Sequence, residues 1–113
     1  MKKVMLLASE EMCDNLRRVL DDKYITLPCS DPTACGELLD LSPDALILNL
    51  FLPGTDGVTF LKDHAGDLPP VILALTFFIS DSILQELTSL GVSSAILLPC
   101  QLGRLEKHLS DLL

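Results

Sequence analysis

Carboxylates that could do chemistry stand next to two apolar runs of this chain. Glu10 and Glu11 come shortly after the run 4–8, and Asp56 follows the run 45–53, which is apolar except at Asn49. Runs of this kind, bounded by turn residues, are typical of strands buried on both faces of a parallel sheet. An open parallel sheet presents its reactive groups at the carboxyl ends of its strands. At Asn49 that group is an amide, which neither attacks phosphorus nor brings charge to Mg²⁺.

The soft metal ligands show no spacing that indicates a metal site or a redox motif. They are four cysteines and two histidines: Cys13, Cys29, Cys35, Cys100, His64 and His108. No two cysteines form a C-x-x-C pair, and neither histidine lies at a ligand spacing from another ligand. We therefore expect small apolar thiols in a reducing cytoplasm, with no metal and no cofactor.

Length and charge exclude several classes of protein. The 113 residues suffice for one domain, 1–113, and 49% of them are apolar. A formal charge of −8 argues against nucleic-acid binding, since the few basic residues form no stripe. The run 4–8 is too short for a signal-peptide core, and we find no stretch long enough to span a membrane. These features predict a cytoplasmic protein.

Apolar runs alternate with helical patterns along the whole chain, which is typical of a beta-alpha repeat. We predict five strands, at 4–7, 24–27, 45–53, 71–76 and 95–98, and five helices, at 10–20, from 31–32 through 39, at 58–64, from 80–81 to 90, and at 101–113. Ser9 is a plausible cap of the first helix, and Gly91 ends the fourth. The predicted fold is a flavodoxin-like (βα)5 open parallel sheet with strand order 2-1-3-4-5 and helices on both faces.

In that strand order a crevice lies at the carboxyl edge between the first and third strands. Ala8, Ser9 and Asn49 should surround it, with Thr76 and Leu98 arriving from the fourth and fifth strands. The segments NLFLPGTDG, from Asn49, and LGVSSAILLPCQLGRL, from Leu90, resemble motifs of bacterial response-regulator receiver domains. The interval of 22 residues from Thr76 to Leu98 also matches the Thr-to-Lys interval of that family, and the similarity extends over essentially the whole chain.

The resemblance implies a phosphorylation pocket whose charged members have been replaced. Asn49 stands at the family's phosphoacceptor aspartate, and Ala8-Ser9 stand at the acidic pair that holds Mg²⁺. Leu98 replaces the lysine that pairs with the phosphoryl oxygens. These substitutions together leave no unpaired buried charge, which favours a pseudo-receiver over a single accidental loss.

The parts that transmit activation in the family have changed too. Phe77 takes the place of a small residue beside the phosphoryl group, so its ring should fill or cap that space. Ala95 occupies the position of the switch aromatic, which makes Thr76 a structural hydroxyl. The Leu98-Pro99 bond corresponds to a family Lys-Pro bond that is commonly cis.

The resemblance therefore implies a non-enzymatic, phosphorylation-independent module of two-component or phosphorelay signalling that binds protein partners. The family's docking surfaces are the face built from the fourth helix, fifth strand and fifth helix, which also serves homodimers, and the first helix.

Two alternatives remain open. Glu10, Glu11 or Asp56 could be a substitute phosphoacceptor, although first-turn glutamates complement the helix dipole and an aspartate before glycine bonds its own turn. A flavodoxin-type phosphate site would need glycine in the turn 8–12, which has none.

Overall fold

The computed structural model describes residues 1–52 and 55–113. Within them the elements follow in this order: β1 (Lys3–Leu7), α1 (Glu10–Leu20), β2 (Ile25–Cys29), α2 (Gly36–Leu39), β3 (Ala45–Asn49), β4 (Phe51–Leu52), β5 (Thr55–Asp56), α3 (Gly57–Asp63), β6 (Val71–Thr76), α4 (Asp81–Ser89), β7 (Ser94–Leu97) and α5 (Leu102–Leu112). No helix in these two ranges combines the length and the apolar character needed to cross a membrane.

Five of the strands form one parallel sheet in the order β2-β1-β3-β6-β7. Counting only those five, the order is 2-1-3-4-5, so the predicted flavodoxin-like topology is confirmed. The register aligns Leu7 with Leu48 and Asn49 with Leu75. The carboxyl ends of β1, β3 and β6 therefore meet at one edge, where the crevice was predicted.

Side chains of the sheet alternate between two cores, because successive residues of a strand point to opposite faces. Leu6 and Ile47 belong to a core that is covered by α1 and α5. Leu7 and Leu48 belong to a second core, which is covered by α2, α3 and α4. We call these two faces the α1/α5 side and the α3/α4 side.

Capping side chains set the starts of α1 and α4. The hydroxyl of Ser9 accepts a hydrogen bond from the Met12 N–H at 3.2 Å, and that of Ser80 accepts one from Ile83. Each satisfies a backbone donor of the first helical turn. Gly91 has a φ of 94°, a left-handed conformation that glycine adopts without strain, so α4 ends at the predicted place.

Most boundaries agree with the prediction to within one or two residues, but two differ by more, for local reasons. The second helix does not start at 31–32, because Asp31 Oδ1 accepts hydrogen bonds from both the N–H and the hydroxyl of Thr33. These bonds lower the pKa of Asp31 and fix a turn, so that α2 spans only Gly36–Leu39. The run 45–53 is not one strand either, since β3 ends at Asn49 and a short antiparallel pair follows. The last residue of that run, Pro53, lies outside the described part.

The expectation of four separate thiols was wrong. The structure joins Cys29, at the end of β2, to Cys35, just before α2, by a disulfide across a sequence separation of 6 residues. Cys13 is a buried free thiol and Cys100 a half-buried one. Burial raises the pKa of both. The covalent link anchors the shortest helix of the fold to the edge strand β2.

Candidate functional site

The amide of Asn49 lies at the carboxyl end of β3 and is only 9% exposed. Its Oδ1 accepts a hydrogen bond from the Phe51 N–H at 3.0 Å. This bond spans two residues, as in an Asx turn, and it leads the chain out of the sheet into β4. The side-chain carbonyl oxygen of Asn49 therefore stabilises the turn between β3 and β4.

On the α1/α5 side, the site is closed by apolar packing. Ala8, which directly follows β1, is fully buried, and Leu98, which directly follows β7, is 7% exposed. Both belong to the core that α1 and α5 cover. Their backbones are fixed as well, because the Ala8 N–H donates to the Cys29 carbonyl at 3.2 Å and the Leu98 N–H to the Thr76 carbonyl at 2.7 Å. The Leu98-Pro99 bond is cis.

On the α3/α4 side, Thr76 holds the loop that follows β6. Its hydroxyl donates to the Phe78 carbonyl at 3.0 Å and accepts from the Phe78 N–H at 3.2 Å. The side chain itself is buried, while the loop beyond it carries two exposed rings. The hydroxyl therefore fixes the loop locally, as a short Thr turn.

Three phenylalanine rings surround the open part of the site. Phe51, Phe77 and Phe78 are 59%, 60% and 61% exposed. The rings of Phe51 and Phe77 lie 5.9 Å apart between centroids at a tilt of 46°, within the range of favourable aromatic pairs. Phe77 thus rests on the outside against Phe51 and does not fill the space beside Thr76.

Beneath these rings a cavity of about 180 Å³ opens between the β4–β5 hairpin and α4. Apolar side chains form most of its wall: Leu50, Val58, Phe78, Ile83 and Leu87. We call the cavity together with Phe51, Phe77 and Phe78 the aromatic opening. It offers a ligand apolar surface and no buried positive charge.

The hairpin and α3 are joined by Asp56 and Gly57. Asp56 Oδ1 accepts a hydrogen bond from the Thr59 N–H at 2.7 Å and so caps α3. A Cβ on Gly57 would lie 2.9 Å from the Cα of Leu50, so only glycine permits this close backbone approach. Gly57 also donates its N–H to the Leu50 carbonyl at 2.8 Å.

Comparisons with known proteins bear on this fold. No family model matches the chain. The chemotaxis protein CheY4 of Vibrio cholerae superposes with a TM-score of 0.88, at 24% identity over 100% of this chain and 99% of that one. A two-component response regulator from Clostridium difficile gives a TM-score of 0.86, at 19% identity over 98% and 94% of the two chains. This chain has the fold of a response-regulator receiver domain.

A curated response regulator is also similar to this chain in sequence. The probable C4-dicarboxylate response regulator DctR of Halalkalibacterium halodurans is 26% identical over 115 residues, which cover 96% of this chain and 50% of that protein. The chain therefore spans about half the length of this relative.

The three acidic residues considered as substitute phosphoacceptors lie outside the buried part of the site. Glu10 and Glu11 are exposed in the first turn of α1. Asp56 is also exposed, and its Oδ1 is engaged in the cap of α3. In residues 1–52 and 55–113 the structure brings no three acidic, histidine or cysteine side chains together as a metal site.

Ala95, which the resemblance to receiver domains places at the switch position, lies on β7 opposite Ala74 of β6. Its methyl group is half-buried against the core on the α3/α4 side.

Two residues of the aromatic opening, Phe51 and Phe78, were missed as candidates from the sequence. The signal was present in the doublet Phe77-Phe78 directly after Thr76, and in Phe51 two residues after Asn49. Adjacent aromatic residues that end strands at one sheet edge indicate an exposed apolar patch there. The contact between the rings of Phe51 and Phe77 depends on the break of β3 at Asn49, which the continuous apolar run concealed.

Proposed function

We propose that this chain is a phosphorylation-independent receiver module that acts by binding a protein partner in a two-component-type pathway of the cytoplasm, and that it is not an enzyme. The observation that carries the proposal is the neutral packing at the carboxyl edge. Asn49 contributes an amide that is bonded to its own turn, while Ala8 and Leu98 are packed into the core. The chain thus keeps the scaffold of a receiver and supplies none of its charged groups at these positions.

The physical cost of a phosphoryl group at this edge supports the proposal. Transfer to a side chain requires a nucleophile, and its transition state carries charge that metal ions and cations stabilise. The buried side chains of Ala8 and Leu98 contain no nucleophile, no metal ligand and no positive charge. A dianionic group placed there would lose hydration without gaining a charged partner, which is strongly unfavourable.

The substitute acids are weaker candidates for phosphorylation. Asp56 already satisfies a backbone donor of α3 through its Oδ1. Glu10 and Glu11 face solvent at the start of α1, where a negative charge complements the helix dipole.

For the partner surface, the face of α4, β7 and α5 is our first candidate. Leu84 on α4 and Leu97 on the edge strand β7 are exposed apolar side chains, at 38% and 52%. Apolar groups on an edge strand favour association with another protein, including a second copy of the chain. The exposed face of α1 is the alternative. With a formal charge of −8, we propose no nucleic-acid partner for this domain.

The test is incubation with acetyl phosphate and Mg²⁺, followed by intact-mass measurement. We expect no added phosphoryl group, whereas a receiver protein with its aspartate, treated in the same reaction, should be labelled. A stoichiometric, hydroxylamine-labile adduct on this chain would contradict the proposal. Peptide mapping of that adduct to Glu10, Glu11 or Asp56 would establish the alternative acceptor.

A further inference from the structure

The cavity of the aromatic opening has the size of one large apolar side chain. Its volume is about 180 Å³, and its wall is formed mainly by aliphatic and aromatic groups. An apolar protein cavity of about 150 Å³ is known to hold a benzene molecule. A phenylalanine ring or a leucine side chain would therefore occupy this space, and its entry would remove apolar surface from water on both partners.

Two carboxylates line the same cavity and give it a charge preference. Asp56 and Glu86 are both lining residues, and both are exposed. Asp56 is engaged only with the Thr59 N–H among its described hydrogen bonds, and Glu86 lies 3.4 Å from Lys62 Nζ. The latter pair is exposed on both sides, so a competing cation can replace it at little cost. A ligand with a positive charge beside its apolar group would suit this rim.

The surrounding rings extend the contact beyond the cavity. Phe51, Phe77 and Phe78 are each about three-fifths exposed, and aromatic side chains are enriched where binding energy concentrates in interfaces. Three large rings on one sheet edge, together with an apolar cavity, exceed the scattered apolar exposure that is normal for a protein surface.

We infer that the aromatic opening binds a segment of a partner protein through one large apolar anchor residue, phenylalanine or leucine, flanked by lysine or arginine. This inference rests on the proposed function and gives the partner its chemistry. A second copy of this chain is a poorer occupant of this cavity, because a partner with a formal charge of −8 would meet the carboxylates of Asp56 and Glu86 at its rim. A neutral aromatic molecule would leave the carboxylate rim without a partner.

The experiment uses three short peptides as probes: N-acetyl-Lys-Phe-Lys-amide, its Lys-Ala-Lys analogue and its Glu-Phe-Glu analogue. Each is titrated into the ¹⁵N-labelled chain and followed by amide chemical shifts. We expect saturable binding of the Lys-Phe-Lys peptide, with the largest shifts at Leu50, Val58 and Leu87. Both analogues should bind at least about tenfold more weakly, since one lacks the anchor and the other reverses the charge.

Matched variants locate the binding on the protein. Ile83→Phe adds a ring to the cavity wall and should abolish the shifts, whereas Gln85→Phe, at an exposed position of the same helix outside the cavity, should leave them unchanged. Glu86→Gln should weaken binding of the Lys-Phe-Lys peptide several-fold, while Glu37→Gln on α2 should have no effect. The comparison of the three peptides on the unmodified chain needs no variant, so it stands even if Ile83→Phe fails to fold.

Several outcomes would overturn the inference. These are equal binding of all three peptides, shifts centred away from the cavity, retention of binding by a folded Ile83→Phe variant, or no binding at all. Concentration-dependent self-association that protects the same amides would instead assign the opening to a second copy. The titration contains no phosphoryl donor, so its failure is distinguishable from failure of the proposed function, which the mass measurement decides separately.

Discussion

The two sides of the sheet differ in the helices that cover them and in what stands at the carboxyl edge. On the α1/α5 side, two helices of 11 residues each cover the core, and Ala8 and Leu98 continue that core to the end of the strands. On the α3/α4 side the helices have 4, 7 and 9 residues. Here the edge carries exposed phenylalanine rings and a cavity of about 180 Å³.

Under the proposed function, this difference corresponds to two ways in which a receiver site can lose its charged groups. Where long helices already cover the strands, an apolar replacement joins the core and closes the space. Where the covering helices are short and a hairpin intervenes, apolar replacements stay partly in water and form a surface. We therefore assign a stabilising role to the buried edge on the α1/α5 side, and the binding of an apolar anchor residue to the aromatic opening on the α3/α4 side.

The largest expected effect comes from returning a charge to the closed side. Ala8→Asp would bury a carboxylate with no cation beside it, and the free energy of unfolding should fall by about 3 kcal/mol. Ser9→Asp is the matched control, because Ser9 is exposed and aspartate caps a helix as well as serine does. Urea denaturation measures both, and equal stabilities of the two variants would show that Ala8 is not part of a closed core.

The second effect concerns the disulfide that anchors α2. Reduction of Cys29–Cys35 opens a short loop, and the chain-entropy model gives a loss of stability of about 2 kcal/mol. Chemical denaturation with and without a dithiol reductant measures it. A double variant, Cys29→Ala with Cys35→Ala, should be insensitive to the reductant. If the unmodified chain is equally insensitive, the link does not contribute to the α3/α4 side.

A smaller effect is expected for the hydroxyl that holds the Phe78 loop. Thr76→Val keeps the shape of the side chain and removes both hydrogen bonds, so the free energy of unfolding should fall by about 1 kcal/mol. Thr76→Ser keeps the hydroxyl and controls for its loss. If Val and Ser variants show the same stability, the hydroxyl does not fix the loop of the aromatic opening.

The smallest effect is the response to Mg²⁺. A pocket with several close carboxylates gains stability when a cation neutralises them. Neither side has such a cluster in the residues that the structure describes, so millimolar Mg²⁺ should leave the melting temperature unchanged in differential scanning fluorimetry. Millimolar Na⁺ at matched ionic strength is the control, and a rise of several degrees with Mg²⁺ alone would reveal a metal site.

Periodicity and turn residues predicted most of the fold. The observed bounds of α1 and β6 agree with the prediction, because Ser9 caps the first helix and the interval of 22 residues to Leu98 places Thr76 at the end of β6. The start of α2 was missed because Asp31, a good cap in isolation, bonds to Thr33 in a turn. Composition alone could not pair Cys29 with Cys35, since a spacing of six residues is neither a redox nor a metal motif.

The sequence predicted which residues lie at the site, but not the direction of their side chains or the presence of a cavity. The strand order brings Asn49 and Thr76 to one edge, which topology alone determines. The direction of Phe77 could not be predicted, because whether a ring enters the sheet edge or rests outside depends on the loop that Thr76 holds. The cavity likewise depends on how the β4–β5 hairpin sits against α4, which is a tertiary feature.

We propose that the site lacks all of its charged groups and not the aspartate alone. The variant Asn49→Asp distinguishes these two possibilities. We would treat this variant and the unmodified chain with acetyl phosphate and Mg²⁺ and measure intact mass. We expect no stoichiometric adduct on either protein, because an aspartate at that position would still face Ala8 and Leu98 instead of metal-binding acids and a cation. A full phosphoryl adduct on Asn49→Asp alone would contradict the proposal, since one residue would then have been the only loss.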